Sequence, residues 1–347
     1  WFRGLLAHLI LVPAWTLPPV LLLGSVVLCG HGLGLPGALF GVVTMVALLG
    51  GPSRGWTYRG GIWLVDLAMA LSAPPANRPL ALCGAATLAV MLYCITCKSF
   101  PQSPFFYRLI TEILDGRAYY QKIELRGAVD EIQPGRNFLA HHPHGCLSAG
   151  WTWSVFWNEC LHARTGRIGY FIDDGLRYKA PSFRIVCDLF EGPGRYCDAA
   201  TRKGIKAAMA RGDSISMIPG GFNDATIYEN GKERTWLRER KGWIKYCLES
   251  GYKVVPLYTF GEADIFWTAT FGLKFRLWLA SQNIPAVMFM GNPFIPFLPR
   301  TDVDVITVVG SPLQLPQIAE PTAADVNEWH AKYIVALTAT FDKHKAE

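Results

Sequence analysis

Three imidazoles, His141, His142 and His144, crowd the stretch Arg136-Asn-Phe-Leu-Ala-His-His-Pro-His-Gly145. Histidine is the side chain whose ordinary pKa lies nearest neutrality, so this cluster can take a proton from a hydroxyl at physiological pH. Something must hold it in place. Phe138, Leu139 and Ala140 have the length and apolarity of a buried strand, and Pro143 and Gly145 punctuate a turn directly after it. The imidazoles therefore fall at the C-terminal end of a strand, the edge where open α/β sheets bind ligands. Two residues apart in an extended turn, His142 and His144 project to one side and His141 to the other. His142 is the first choice for a general base and His144 the second.

A second strand-to-turn element is Ser214-Ile-Ser-Met-Ile-Pro219-Gly220-Gly221-Phe-Asn-Asp224. Gly220 and Gly221 let backbone N–H groups approach a ligand oxygen closely, and such groups, with Gly145, could hold the oxyanion formed when a thioester or ester carbonyl is attacked. A third element is basic: Arg234, Arg238, Arg240, Lys241 and Lys245, interleaved with Trp236, Trp243 and Tyr246 on an expected helix, with Arg202, Lys203 and Lys206 as a weaker cluster. Guanidinium and ammonium groups near a strand edge suit phosphates, as a nucleotide-bearing acyl donor would require.

Beyond Gly127 short apolar runs alternate with longer amphipathic ones. Strands are expected at Asn137–His141, Ile168–Ile172, Ser214–Ile218, Lys253–Phe260 and Val303–Val309. Helices are expected at Ser148–Ala163, Ala199–Arg211, Trp236–Ser250, Ile265–Ser281 and Ala323–Lys343. That alternation makes the fold class α/β, a mostly parallel sheet covered by helices. Thr322 with Asp325 offers a capping box for the last helix, and Val326, Trp329, Tyr333, Leu337 and Phe341 form one apolar stripe along it.

The N-terminal part has a different composition. The chain is 51% hydrophobic, with mean hydropathy +0.21. Its 33 Lys and Arg and 27 Asp and Glu are concentrated downstream, since residues 1–97 carry only Arg3, Arg54, Arg59, Asp66 and Arg78. The uncharged run between Arg3 and Arg54 is more than twice the roughly 20 residues a membrane-spanning helix needs. A helical hairpin over Leu5–Leu28 and Leu35–Leu49 is expected, followed by a shorter segment Ile62–Ser72 and a run Pro79–Cys97. The domains read as 1–98, a membrane-embedded helical region, and 99–347, the α/β domain. Arg3, Arg54 and Arg59 at the hairpin's ends put those ends in the cytosol. The aromatic segment Ile265–Trp278, continuing into Ile284–Leu298, is either core or a helix lying at the membrane interface, with Lys274 and Arg276 among its rings. Net charge +6 suits an anionic membrane surface without calling for nucleic acid. Nine scattered cysteines point to a reducing compartment.

Two rival chemistries have weaker patterns. His141, His142, His144 and Cys146 have zinc-ligand chemistry, but four ligands within six residues converge on one ion awkwardly, so a membrane-bound zinc-dependent hydrolase ranks below a transferase. Gly145-Cys-Leu-Ser148-Ala-Gly150 is one residue too wide for a serine hydrolase's nucleophile turn.

Taken together, His142-Pro-His-Gly145, Pro219-Gly-Gly-Phe-Asn-Asp224, Arg238-Glu-Arg-Lys-Gly242, Val255-Pro256 with Phe260-Gly-Glu262, and Val309-Gly-Ser-Pro312 resemble, in order and spacing, the motifs of the type-2 diacylglycerol acyltransferase family, which includes monoacylglycerol and wax-ester acyltransferases. The match spans residues 99–345. Tyr119-Tyr120 resembles the family's Tyr-Phe-Pro element, with Tyr and Gln in place of Phe and Pro. The resemblance implies an acyl-CoA-dependent O-acyltransferase of glycerolipid-acyltransferase-like fold. It would be a multi-pass protein of the endoplasmic reticulum membrane with its catalytic domain facing the cytosol. It would make triacylglycerol from acyl-CoA and diacylglycerol, and the alternatives are monoacylglycerol or a long-chain alcohol as acceptor. No metal, cofactor or covalent intermediate is implied, and a homo-oligomer is compatible. In that reading a histidine of the 142–145 turn takes the acceptor's proton, Asp224 stands where the family has Glu, and Arg238, Arg240, Lys241 and Arg202 hold acyl-CoA.

Overall fold

The computed structural model describes residues 1–12, 67, 70–71, 73–96, 100–282 and 287–346. Among them ten strands form: β1 (Lys122–Gly127), β2 (Asn137–His142), β3 (Ile168–Ile172), β4 (Arg195–Ala199), β5 (Ser214–Met217), β6 (Lys253–Phe260), β7 (Trp267–Thr268), β8 (Phe289–Met290), β9 (Asp304–Val309) and β10 (Leu313–Gln314). All five expected strands are present. One sheet of eight strands runs β1-β9-β6-β2-β5-β3-β4, with β10 on β6. The block β6-β2-β5-β3-β4 is parallel throughout, and β1 and β9 are parallel to each other but join antiparallel through β6. The mostly parallel sheet read from the sequence is the sheet that forms.

Burial explains why β2, β3 and β6 were legible and β1 and β4 were not. Every residue of β2 and β3 is buried, as expected of strands covered on both faces. β1 reads Lys-Ile-Glu-Leu-Arg-Gly and is only partly buried at the sheet edge. In β4 the buried Arg195 breaks the apolar pattern; its guanidinium donates to Tyr107 Oη at 2.9 Å and is paired with Glu159, Oε1 lying 3.0 Å away.

The helices needed more correction. The last one, Ala323–His344, starts on the expected capping box and lays Tyr333 and Leu337 on the core, with Val326, Trp329 and Phe341 beside them. The expected helix Ser148–Ala163 is split into a π-helical turn, Trp151–Phe156, and a helix Glu159–Thr165 capped by Asn158. The expected helix Trp236–Ser250 starts only at Gly242, because the preceding backbone is drawn into a different set of hydrogen bonds described below. Ile265–Ser281 is helical only over Leu273–Ser281: Trp267 and Thr268 pair instead with Met290 and Phe289, and Gly272 enters the helix at φ +64°.

The chain divides into two compact units. One comprises Trp1–Leu9, Ser103–Asp174 and Phe190–Glu347; the other comprises Ile10–Gln102 and Gly175–Leu189. The first holds the sheet and every residue of the site discussed below. Within it, the N-terminal helix packs His8 on Tyr119, ring centroids 4.2 Å apart, with Nε2 3.3 Å from Tyr120 Oη. The beginning of the expected span Leu5–Leu28 is thus engaged by protein through these rings. In the second unit Arg78–Thr96 is one helix over the expected Pro79–Cys97 run, and Asp188 binds Arg177 at 2.5 Å and the Phe100 N–H at 2.9 Å. Most of the expected spans Leu5–Leu28 and Ile62–Ser72, and all of Leu35–Leu49, lie outside the described residues. Among the described residues no helix is long and apolar enough to cross a membrane.

Candidate active site

Three loops leave the C-terminal ends of three adjacent strands: the histidine turn after β2, Pro219–Asp224 after β5, and Gly261-Glu262 after β6. The chain leaves β2 toward β3 on one side and β6 toward β9 on the other. The histidine turn therefore sits where strand order reverses, the place where such sheets open a crevice.

The imidazoles of β2 alternate faces as a strand requires. His141 places Nε2 2.7 Å from Thr259 Oγ1, and Thr259 lies 2.8 Å from Thr307 on the next strand. His142 points the other way and is fully buried. Its Nε2 is 2.9 Å from Tyr333 Oη on the last helix, and its Nδ1 is 3.1 Å from Thr235 Oγ1. Burial pushes its pKa down to about 3, so the ring is neutral, and both nitrogens are occupied.

His144 differs. It is only partly buried, and its Nδ1 lies 3.0 Å from the Gly145 carbonyl. A carbonyl can only accept, so Nδ1 carries the proton and Nε2 is left with a bare lone pair. Nε2 has no hydrogen-bond partner among the described residues. Burial also lowers this pKa below its ordinary 6.5, which keeps the lone pair available at neutral pH.

Asp224 holds this turn through the backbone. Its Oδ2 accepts the His144 N–H at 3.0 Å and the Thr235 hydroxyl at 3.3 Å, and its Oδ1 accepts the Trp236 N–H at 2.7 Å. The carboxylate does not touch an imidazole directly; it reaches His142 only through Thr235. Burial raises its pKa to about 6 against the pull of those donors. Gly220 makes the arrangement possible, since a Cβ there would stand 2.4 Å from Asp224 Cβ. The Gly221 N–H closes the turn on the Ile218 carbonyl at 3.2 Å, whereas the N–H groups of Gly145 and Gly220 have no partner among the described residues.

The capture of Thr235 and Trp236 by Asp224 is what delays the helix to Gly242, so the basic block is a loop, not a helix face. Arg238 and Arg240 stand exposed, and the field of Arg240 reaches Asp224. Lys241 Nζ donates to Asn327 Oδ1 at 2.8 Å, and Arg234 pairs with Glu229 at 2.8 Å. Arg202 is exposed at the start of helix Arg202–Arg211, after β4, three strands from β2, and no hydrogen bond or ion pair among the described residues links it to this loop.

Glu262 was quoted from the sequence only as part of a motif, without a role. It is fully buried, its Oε1 accepts the Ala149 N–H at 3.0 Å and its Oε2 the Gly150 N–H at 2.8 Å. Burial raises its pKa to about 7. A strand followed by Phe-Gly-Glu was the available signal, and only the sheet order shows that this strand neighbours β2. No group of three His, Cys, Asp or Glu side chains among the described residues is placed to hold a metal ion.

The aromatic segment is divided. Ile265 and Phe266 are core, but Phe271, Phe275, Trp278 and Phe294 are 70%, 61%, 57% and 93% exposed.

Comparison with known proteins agrees with the motifs. The profile of the family described as "Diacylglycerol acyltransferase" matches residues 88–347. The human protein "Diacylglycerol O-acyltransferase 2-like protein 6" is 31% identical over 244 residues, which is 62% of this chain and 68% of that protein. Human "2-acylglycerol O-acyltransferase 3" is 28% identical over 243 residues, 62% of this chain and 66% of its own length. Among solved structures, the 1-acyl-sn-glycerophosphate acyltransferase of Thermotoga maritima aligns over 93% of this chain and 98% of its own at 10% identity, with a TM-score of 0.38.

Proposed function

This chain belongs to the diacylglycerol acyltransferase family and is an acyltransferase; on that premise we propose that it transfers a fatty acyl group from acyl-CoA to diacylglycerol, with His144 as the general base. The observation that carries this reading is the partly exposed Nε2 lone pair of His144, held at the crevice by a turn whose backbone Asp224 anchors. In the proposed reaction Nε2 takes the proton of the acceptor hydroxyl as its oxygen attacks the thioester carbon. The oxyanion faces N–H groups of the glycine turns, of which Gly145 and Gly220 are the candidates with no other partner among the described residues. Collapse re-forms the carbonyl and breaks the C–S bond, and the imidazolium returns its proton to the leaving thiolate. No covalent acyl-enzyme is needed. His142, with both nitrogens engaged, belongs in this reading to the support of the turn.

Arg238 and Arg240, exposed and unpaired among the described residues, are the proposed contacts for the donor's phosphates, with Lys241 beside them. The proposed setting is the endoplasmic reticulum membrane with the catalytic unit on the cytosolic side. Two features support it: the long uncharged stretch between Arg3 and Arg54, and the exposed rings of Phe271, Phe275, Trp278 and Phe294, with no carboxylate between Ile265 and Thr301. Monoacylglycerol is the second acceptor to weigh, because a relative is named for acylating 2-acylglycerol. Supplying membranes containing this protein with labelled oleoyl-CoA and, separately, diacylglycerol, monoacylglycerol or a long-chain alcohol tests the proposal. Labelled triacylglycerol is the expected main product; label appearing only in diacylglycerol or wax ester would reassign the acceptor, and label only in free fatty acid would reject transfer.

A further inference from the structure

The buried carboxylate of Glu262 has no part in the chemistry above, and no cation pairs with it among the described residues. Isolated buried charge is costly unless donors surround it. Glu262 emerges from β6 directly beside β2 and touches the histidine loop at both ends. At one end a Cβ on Gly145 would stand 2.4 Å from Oε1; at the other the two oxygens take the successive N–H groups of Ala149 and Gly150. Between these points Ser148 is held at φ +51°, a left-handed conformation that a serine adopts at a cost. Its Oγ donates to the His144 carbonyl at 2.7 Å. The carbonyl of Gly145, the residue whose Cα faces that carboxylate, is the group that fixes the tautomer of His144.

Resting on the assignment of His144 as base, we propose that Glu262 is a positioning residue that sets the His144 imidazole for proton transfer by clamping residues 145–150. An ionised carboxylate is suited to this because it only accepts, and both of its oxygens face donors. An amide of the same shape would turn its NH2 against one of them. Protonation of Glu262 does the same, and the groups facing the carboxyl are few: Cys146 from the histidine loop, Tyr120 from the segment before β1, Tyr228 at the end of helix Gly221–Ile227, and Glu233, with Arg276 acting on Cys146. With a folded pKa of about 7, above the unfolded carboxyl's, the clamp is complete above that pH and loosens as the pH falls through it.

The test is the pH profile of kcat for the full chain in membranes, with oleoyl-CoA and the acceptor both saturating. The parent should lose activity toward acid with a midpoint near 7. Glu262→Gln should lower kcat roughly 10- to 100-fold, the effect of a small misplacement of a reacting group, with both KM values nearly unchanged and the midpoint near 7 gone. A Glu262→Gln protein that keeps that midpoint, or a kcat within twofold of the parent, overturns the proposal. Should that variant fail to accumulate, Ser148→Ala cuts the link from the clamp to His144 and must lower kcat without moving the midpoint; full activity in Ser148→Ala overturns the proposal equally. An active His144→Ala would instead refute the assignment of the base, whereas an inactive His144→Ala beside a normal Glu262→Gln refutes the clamp alone.

Discussion

Replacing His144 by alanine separates two histidines that lie two residues apart and have opposite surroundings. In the parent, Nε2 of His144 is bonded to no described residue and its side chain is partly exposed, whereas both nitrogens of His142 are engaged, Nε2 by Tyr333 at 2.9 Å, and His141 is fully buried, with Nε2 on Thr259 at 2.7 Å and Nδ1 enclosed without a partner. Loss of a positioned base costs about 10²- to 10⁴-fold in turnover, roughly 2.7 to 5.5 kcal/mol of transition-state stabilisation, and no neighbour can substitute. Because the side chain is partly exposed, the fold should hardly notice. His142→Ala is the converse. It empties a fully buried position and removes one hydrogen bond from each of the Tyr333 and Thr235 hydroxyls, which keep only the Ala140 carbonyl at 3.4 Å and Asp224 at 3.3 Å, a loss of about 2 to 5 kcal/mol of stability. The assay is labelled acyl transfer per folded molecule alongside the thermal midpoint of each detergent-solubilised variant. His144→Ala should be almost inactive with an unchanged midpoint, and His142→Ala should have a lowered midpoint with the larger share of its activity per folded molecule retained. Turnover of His144→Ala within threefold of the parent would refute the reasoning, as would a His142→Ala protein of parental midpoint that is inactive.

Two further outcomes follow from the same geometry. The pKa of Asp224 is raised to about 6 in the fold, above its unfolded value near 4, so its contribution is full below the unfolded pKa and is lost as pH rises through the folded one. Roughly two pKa units correspond to about 3 kcal/mol, and the thermal midpoint of Asp224→Asn should depend less on pH between 4 and 6 than that of the parent; equal slopes in a scan of both proteins would contradict it. Arg238→Gln and Arg240→Gln should each raise the KM for acyl-CoA several-fold and leave that for the acceptor alone, with Arg202→Gln showing a smaller effect. An unchanged acyl-CoA KM in both loop variants would return the loop to ordinary solvated surface.

The parallel sheet was readable from the sequence because its central strands are buried on both faces and so written in apolar residues, as in Phe138-Leu139-Ala140. β4 was hidden because Arg195 is buried with partners, Tyr107 and Glu159, that lie far away in sequence. The same limitation governed the site. The histidine turn, the glycine turn and Asp224 were each visible locally, but which histidine has a free nitrogen depends on Tyr333, 191 residues from His142. The loop at Arg238 was mistaken for a helix because its competitor for backbone hydrogen bonds, Asp224, acts from twelve residues before Trp236. Glu262 could be placed beside β2 only once the order of strands was known.

That single carboxylate of Asp224, gripping the N–H groups of both His144 and Trp236, divides the loop beyond it into a fixed root and a free crown. The root is secured again at its far end, where Lys241 meets Asn327 on the last helix. The guanidinium groups of Arg238 and Arg240 project from the crown, bonded to nothing else described, while the Arg240 backbone is tied to Leu237 and Trp243. Substitutions at Arg238 can accumulate with no bonded route to the imidazole, whereas Arg240 acts on Asp224 through its field and a change at Thr235 or Trp236 is transmitted through direct hydrogen bonds. Donor preference is therefore free to drift, or to be engineered, at a loop tip whose link to the proton-transfer machinery is a field and not a bond.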